Sequence, residues 1–143
     1  MKRIILATGA MALMAGMAFA ESHAKTIRMG TEGAYPPYNG EVDGYEREIG
    51  DEMCKRAELT CEWVTNEWDS IIPNLTSGNY DTIIAGMSIT DEREQVIDFT
   101  QNYIPPAASA YVGLSADADI AGGVIAAQTS TIQAGYVAES GAT

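Results

Sequence analysis

Ile83-Ile84-Ala85-Gly86-Met87-Ser88-Ile89-Thr90-Asp91-Glu92-Arg93 runs from an unbroken apolar segment into a polar turn and then into an acidic helix start that carries one arginine. A strand end and a helix N-terminus both leave backbone groups without partners, a helix N-terminus favours anions, and a guanidinium can hold a carboxylate through two parallel hydrogen bonds. The stretch therefore predicts a buried strand leading into a corner that binds something small with an anionic end. The same arginine could instead pair on the surface with Glu92, Glu94 or Asp98, as exposed arginines commonly do.

Working outward, strand-like and helix-like segments alternate. Thr26 to Thr31 puts Ile27 and Met29 on one face at strand period, and Gly33 to Gly40, punctuated by Pro36 and Pro37, reads as a loop. Gly44 to Ala57 repeats Tyr45, Ile49, Met53 and Ala57 at four-residue intervals among acids, the pattern of an amphipathic helix. Thr60 to Thr65 alternates again. Asp69 to Ser77 predicts a short helix with Asp69 as N-cap and Gly78 as stop, Pro73 being tolerable only near its first turn, and Asp81 to Gly86 is the buried strand. Strand, helix, strand, helix, strand implies an α/β fold with a largely parallel sheet and ligands at the carboxyl ends of its strands. Those ends are Thr31-Glu32, Asn66 to Trp68 and Ala85 to Ser88.

Beyond Asp98-Phe99-Thr100 the character changes. Tyr103 to Pro106 forms a bend, Ala108 to Val112 reads as another strand, and Ser115 to Gly123 as a small polar linker. Val124 to Ala127 reads as a short strand, Gln128 to Thr131 as a capping turn and Ile132 to Glu139 as the start of a helix. So short a second unit cannot bury a core alone, and the chain reads as the front part of a longer protein.

Lys2 and Arg3 precede an uncharged run from Ile4 to Phe19, and Ala18-Phe19-Ala20 matches a signal-peptidase site, which predicts export with cleavage after Ala20. The other reading is an uncleaved anchor, for which the run is short. Removing Lys2 and Arg3 leaves six basic against twenty acidic residues, a net charge of −14 with His23 neutral. Such a field repels phosphate backbones and argues against nucleic acid as a partner. In an exported chain, Cys54 and Cys61 favour a disulfide over a metal site, which would want more ligands than two thiols and a distant His23. A loop this short would add roughly 2 to 3 kcal/mol in the chain-entropy picture.

Thr31-Glu32-Gly33-Ala34-Tyr35-Pro36-Pro37-Tyr38, Gly44-Tyr45 opening a helix, Cys54-Lys55-Arg56 with Cys61, Trp68-Asp69-Ser70-Ile71-Ile72-Pro73-Asn74-Leu75 and Ala85 to Arg93 occur in one order. Together they resemble the family 3 solute-binding proteins of bacterial ABC transporters, in particular periplasmic receptors for lysine, arginine, ornithine and histidine. The resemblance covers Thr26 to Val112 and, weakly, Val124 to Tyr136. It implies a type II periplasmic-binding-protein fold, with two lobes closing around an amino acid: residues 1–20 as signal peptide, 21–112 as the first segment of lobe 1 and 113–143 as the incomplete start of lobe 2.

The resemblance also implies roles. Arg93 would clamp the ligand carboxylate, with Ser88 and the Gly86 backbone facing its polar groups. Tyr35 and Trp68 would sandwich its side chain, Glu32 would meet the distal end of a basic ligand, and Thr131 would add carboxylate contacts from the second lobe. Flat aromatic faces suit a cationic side chain, by roughly 1 to 2 kcal/mol in a partly dry site. Two departures stand out. Such receptors often carry hydroxyl residues where this chain has Ala85 and Gly86, and an aspartate where it has Glu46-Arg47-Glu48. The implied protein is a monomer that needs no cofactor or metal, takes an amino acid and hands it to a membrane permease. A sensor domain serving a signalling protein is the first rival. An enzyme such as a dehydratase is the second, although the one histidine, His23, lies beside the predicted mature terminus.

Overall fold

A computed structural model describes residues 26–142, so the export segment, Glu21 and His23 lie outside the described residues. Three parallel strands form the sheet: β1 (Ile27–Thr31) in the centre, β2 (Cys61–Thr65) on one side and β3 (Thr82–Ile83) on the other. Helix α1 (Tyr45–Arg56) connects β1 to β2. A 3₁₀ turn (Trp68–Ser70) and helix α2 (Ile71–Thr76) connect β2 to β3. Two short helices follow, α3 (Asp91–Glu94) and α4 (Ile132–Ser140).

The period of two decides what each face buries. Met29 lies opposite Trp63, and Gly50 of α1 packs so closely on that face that a Cβ would come within 2.6 Å of the Trp63 ring. Gly30 lies opposite Val64 and Ile83 on the other face, where Ile71, Tyr80 and Ala85 form the buried cluster with Val64, Ile72, Leu75, Ile83 and Met87 packed against it. Successive crossovers thus cover opposite faces. The chain reverses direction across the sheet between β1 and β3, which opens a crevice outside their carboxyl ends.

Arg28 fixes the register of β3. Its guanidinium grips both oxygens of Asp81 (3.1 and 3.2 Å) and the carbonyls of Asn79 (2.7 Å) and Gly78 (2.9 Å), while its own backbone N–H donates to Asp81 (3.0 Å). The Cys54–Cys61 disulfide, Cα–Cα 6.1 Å, joins the last turn of α1 to the first residue of β2, as the sequence predicts.

Several expectations change. The buried face of α1 runs through Glu46 and Gly50 with Cys54 half-buried, one residue on from the expected Tyr45–Ile49–Met53 stripe, and Met53 is 58% exposed. A side chain as bulky as methionine could not take the place of Gly50 against Trp63. Asp69 sits inside the 3₁₀ turn, and Ser70 precedes α2 without a side-chain cap. Pro73 falls in the first turn of α2, where its missing N–H costs nothing. The strand expected over Asp81 to Gly86 is two residues long: Ile84 N–H still reaches the Gly30 carbonyl (2.9 Å), and then Gly86, at φ +59°, turns the chain away. Ala108 to Val112 and Val124 to Ala127 are not strands, because no neighbouring strand pairs with them among the described residues.

Thr31 ends the central strand fully buried, and its hydroxyl has no hydrogen-bond partner among the described residues. An unmet buried hydroxyl costs about 1 to 3 kcal/mol. Thr31→Val, close in shape and well suited to a strand, should therefore raise stability by about 1 kcal/mol in urea unfolding. A destabilised variant would reveal that the hydroxyl is engaged.

Candidate ligand-binding crevice

The loops that leave β1, β2 and β3 bring the candidate residues to one end of the sheet. Glu32 follows β1 directly and accepts a hydrogen bond from Gln128 Nε2. Tyr35 is held by reciprocal backbone bonds to Asn39 (2.8 and 2.9 Å), and its 45%-exposed ring stacks on Tyr38 with centroids 4.6 Å apart. Trp68 opens the 3₁₀ turn after β2. Its Nε1 donates to the Ser130 carbonyl (3.1 Å), and the Arg93 guanidinium lies 5.5 Å from its ring centroid.

Arg93 is partly buried and makes no ion pair among the described residues, so the surface pairing with Glu92, Glu94 or Asp98 does not form. Its Nη1 donates to the Ser88 carbonyl (2.8 Å) and its Nη2 to the Ser130 carbonyl (3.0 Å). Each Nη keeps a second N–H and Nε keeps its own, enough for a two-point grip on a carboxylate. Desolvation pulls the guanidinium below the usual arginine range, partly offset by Glu92, and leaves it charged at any physiological pH.

The helix that carries Arg93 is only four residues long. Thr90 caps it by accepting from Arg93 N–H (3.3 Å), and Thr90 O accepts from Glu94 N–H (2.9 Å). A macrodipole that short adds little, so the pull on an anion comes from the guanidinium. Ser88 is exposed and contributes its carbonyl to Arg93. Gly86 donates its N–H to Glu46 Oε1 (2.7 Å), which leaves its carbonyl as the group that could meet a ligand. Thr131 caps α4: its hydroxyl accepts from Ala134 N–H (3.1 Å) and donates to the Gln128 carbonyl (2.7 Å).

Two clusters result. Trp68, Ser88, Arg93 and the Ser130–Thr131 turn form one; Tyr35 and Gly86 form the other, around Glu46. The 128–131 turn links the crevice's two charges, touching Glu32 through Gln128 and Arg93 through Ser130. Sequence reasoning passed over Glu46 as a ligand-site element. It is a fully buried carboxylate that accepts from Asn39 Nδ2 (2.6 Å), Gly86 N–H and the Tyr103 hydroxyl. Burial, and then the bond to Glu46, push the Tyr103 phenol above its usual range. The available signal was an acid in step with Gly50 and Cys54, four and eight residues on. Among the described residues no group of His, Cys, Asp and Glu could hold a metal ion, and no helix is long and apolar enough to cross a membrane.

Comparison with known proteins places this crevice in context. The model of the bacterial extracellular solute-binding proteins, family 3, matches residues 27–130. An octopine-binding periplasmic protein of Rhizobium meliloti is 40% identical over 99 residues, 66% of this chain and 33% of the relative. A lysine/arginine/ornithine-binding periplasmic protein of Escherichia coli (strain K12) is 38% identical over 109 residues, 70% of this chain and 41% of the relative. The crystal structure of a periplasmic His/Glu/Gln/Arg/opine family-binding protein from Silicibacter pomeroyi in complex with lysine is 78% identical, with a TM-score of 0.77 over 82% of this chain and 56% of that one. The fold is that of the type II periplasmic binding proteins. The chain spans about a third to two fifths of the length of these curated relatives.

Gly86 gives a direct test of how the crevice is held. At φ +59° an L side chain is strained, and a Cβ would lie 3.2 Å from the Tyr35 ring. Gly86→Ala should cost about 1 to 2 kcal/mol in chemical unfolding and shift the Tyr35 ring. Unchanged stability would mean that the turn relaxes freely.

Proposed function

The chain belongs to family 3 of the bacterial extracellular solute-binding proteins, and from that premise we propose that it is the ligand-receiving part of a receptor for a basic L-amino acid. One observation carries the reading: a partly buried arginine with no carboxylate partner among the described residues and an acid share one crevice, bridged by one turn. A basic amino acid complements that pattern, with a carboxylate for Arg93 and a distal cation for Glu32.

In this reading Tyr35 and Trp68 flank the ligand side chain, Ser88 and the Gly86 carbonyl meet its polar groups, and Thr131 sets the turn that closes over it. Residues 21–112 would supply the first segment of lobe 1 and 113–143 the beginning of lobe 2, and from the latter Gln128 and Ser130 reach Glu32, Trp68 and Arg93. The precursor is exported and cleaved after Ala20. The loaded monomer delivers its ligand to the permease of an ABC importer. Binding rather than catalysis is favoured because the family the chain belongs to is one of solute-binding proteins and the relatives it matches are named for the amino acids they bind.

The test uses the chain carried to the full length of its relatives. A thermal-shift screen of the twenty amino acids should single out arginine, lysine or ornithine. In calorimetry Arg93→Ala should cost every ligand about 3 kcal/mol or more, since it removes a bidentate, partly desolvated charge contact. Glu32→Gln should weaken arginine by roughly 1 to 3 kcal/mol and leave glutamine nearly unchanged, because only the cation loses a charge-assisted partner. Equal losses for both ligands would mean that Glu32 reads no charge and would point to a receptor for neutral polar amino acids.

A further inference from the structure

The loop after β1 and the turn after β3 form the two walls of the crevice, and a chain of hydrogen bonds centred on two buried side chains spans them. Gly33 N–H donates to Asn39 Oδ1 (2.8 Å), and Asn39 Nδ2 donates to Glu46 Oε2 (2.6 Å). The other oxygen, Oε1, takes the Gly86 N–H (2.7 Å) and the Tyr103 hydroxyl. Asn39 and Glu46 are both fully buried, so the bond between them is shielded from water, while the bonds to Gly33, Gly86 and Tyr103 are partly buried. Their direction is determined: Asn39 must turn its oxygen to Gly33, so its nitrogen faces Glu46, and Glu46 must accept on both oxygens.

We propose that Glu46 and Asn39 act together as a positioning relay for the ligand, setting the distance between the Glu32–Tyr35 loop and the Gly86–Ser88 turn. The proposal rests on the crevice being the amino-acid site. Both side chains are buried and act on the crevice through the backbone N–H groups of Gly33 and Gly86. Tyr103 extends it to the segment by which the chain leaves the sheet, so that segment is set by the same carboxylate.

The directionality supplies the test. Glu46→Gln presents an amide nitrogen to another donor, either Asn39 Nδ2 or Gly86 N–H, and flipping Asn39 to relieve this orphans Gly33 N–H. Combining Asn39→Asp with Glu46→Gln restores every bond. The introduced carboxylate accepts from Gly33 and from the introduced amide, whose oxygen accepts from Gly86 and Tyr103. In the chain carried to its relatives' full length, arginine affinity should fall about tenfold or more in Glu46→Gln and return to within about threefold of wild type in the double variant. Amide hydrogen exchange at Gly33 and Gly86 should accelerate together in the single variant and slow again in the double.

Unchanged affinity in Glu46→Gln overturns the relay. So does a folded double variant that still binds weakly, or acceleration at Gly86 without Gly33. If Glu46→Gln fails to fold, the double variant alone decides. A wild-type protein that binds no amino acid refutes the receptor reading instead, and exchange at the two glycines then still tells whether the relay exists.

Discussion

A carboxylate taken wholly out of water must be met by donors, and the arrangement of this sheet end follows from meeting Glu46. An uncompensated buried charge costs several kcal/mol, so a fold that buries one has to bring hydrogen-bond donors to it. Here they come from three separate places: the loop after β1, the turn after β3 and the segment beyond Phe99. No local propensity would bring Asn39, Gly86 and Tyr103 together. Gly86 can turn with φ +59° and let the Tyr35 ring lie over it because it has no Cβ, and the bond from its N–H to Glu46 holds the turn in place. The carboxylate thus ties three separate connections together across this end of the sheet.

Arg93 is the opposite case, a cation held with no anion paired to it among the described residues. The whole chain carries a net charge of −12, a field that works against any anionic ligand at long range. Carbonyl oxygens of Ser88 and Ser130 and the face of Trp68 surround the guanidinium, and these orient it without neutralising it. Partial burial would strengthen its pull on any carboxylate brought close, at the short range where the summed surface charge matters least. The acidic exterior and the cationic corner are compatible because one acts over the Debye length and the other inside a desolvated cleft.

Much of this was legible in the sequence. Alternating apolar periods marked β1, α1, β2 and α2 to within a residue or two, and the loops after β1 and β3 stood out because polar and aromatic residues crowd strand ends there. Arg93 stood out because a buried strand runs through a polar turn into the helix start that bears it. Glu46 stayed hidden because a helix-opening acid looks like a macrodipole partner, and only the packing of Gly50 on Trp63 turns that face inward. The failed strands over Ala108 to Val112 and Val124 to Ala127 have a simple cause. Alternation reports what a segment could bury, whereas a strand also needs a neighbour at hydrogen-bonding distance, and pairing partners are not written in local sequence.

The turn at 128–131 completes the logic of the crevice. It reaches the acid through an amide and the guanidinium through a carbonyl, both neutral groups. Ser130 holds a positive φ of 59°, a conformation that costs a serine about 1 kcal/mol, and its carbonyl offsets this by accepting from Trp68 and Arg93 at once. A lysine in place of Gln128 would cancel the charge of Glu32, and an acidic side chain aimed where the Ser130 carbonyl points would cancel that of Arg93. Neutral contacts position both charges and neutralise neither, which is the condition for a site to discriminate a ligand by the charge at each of its ends.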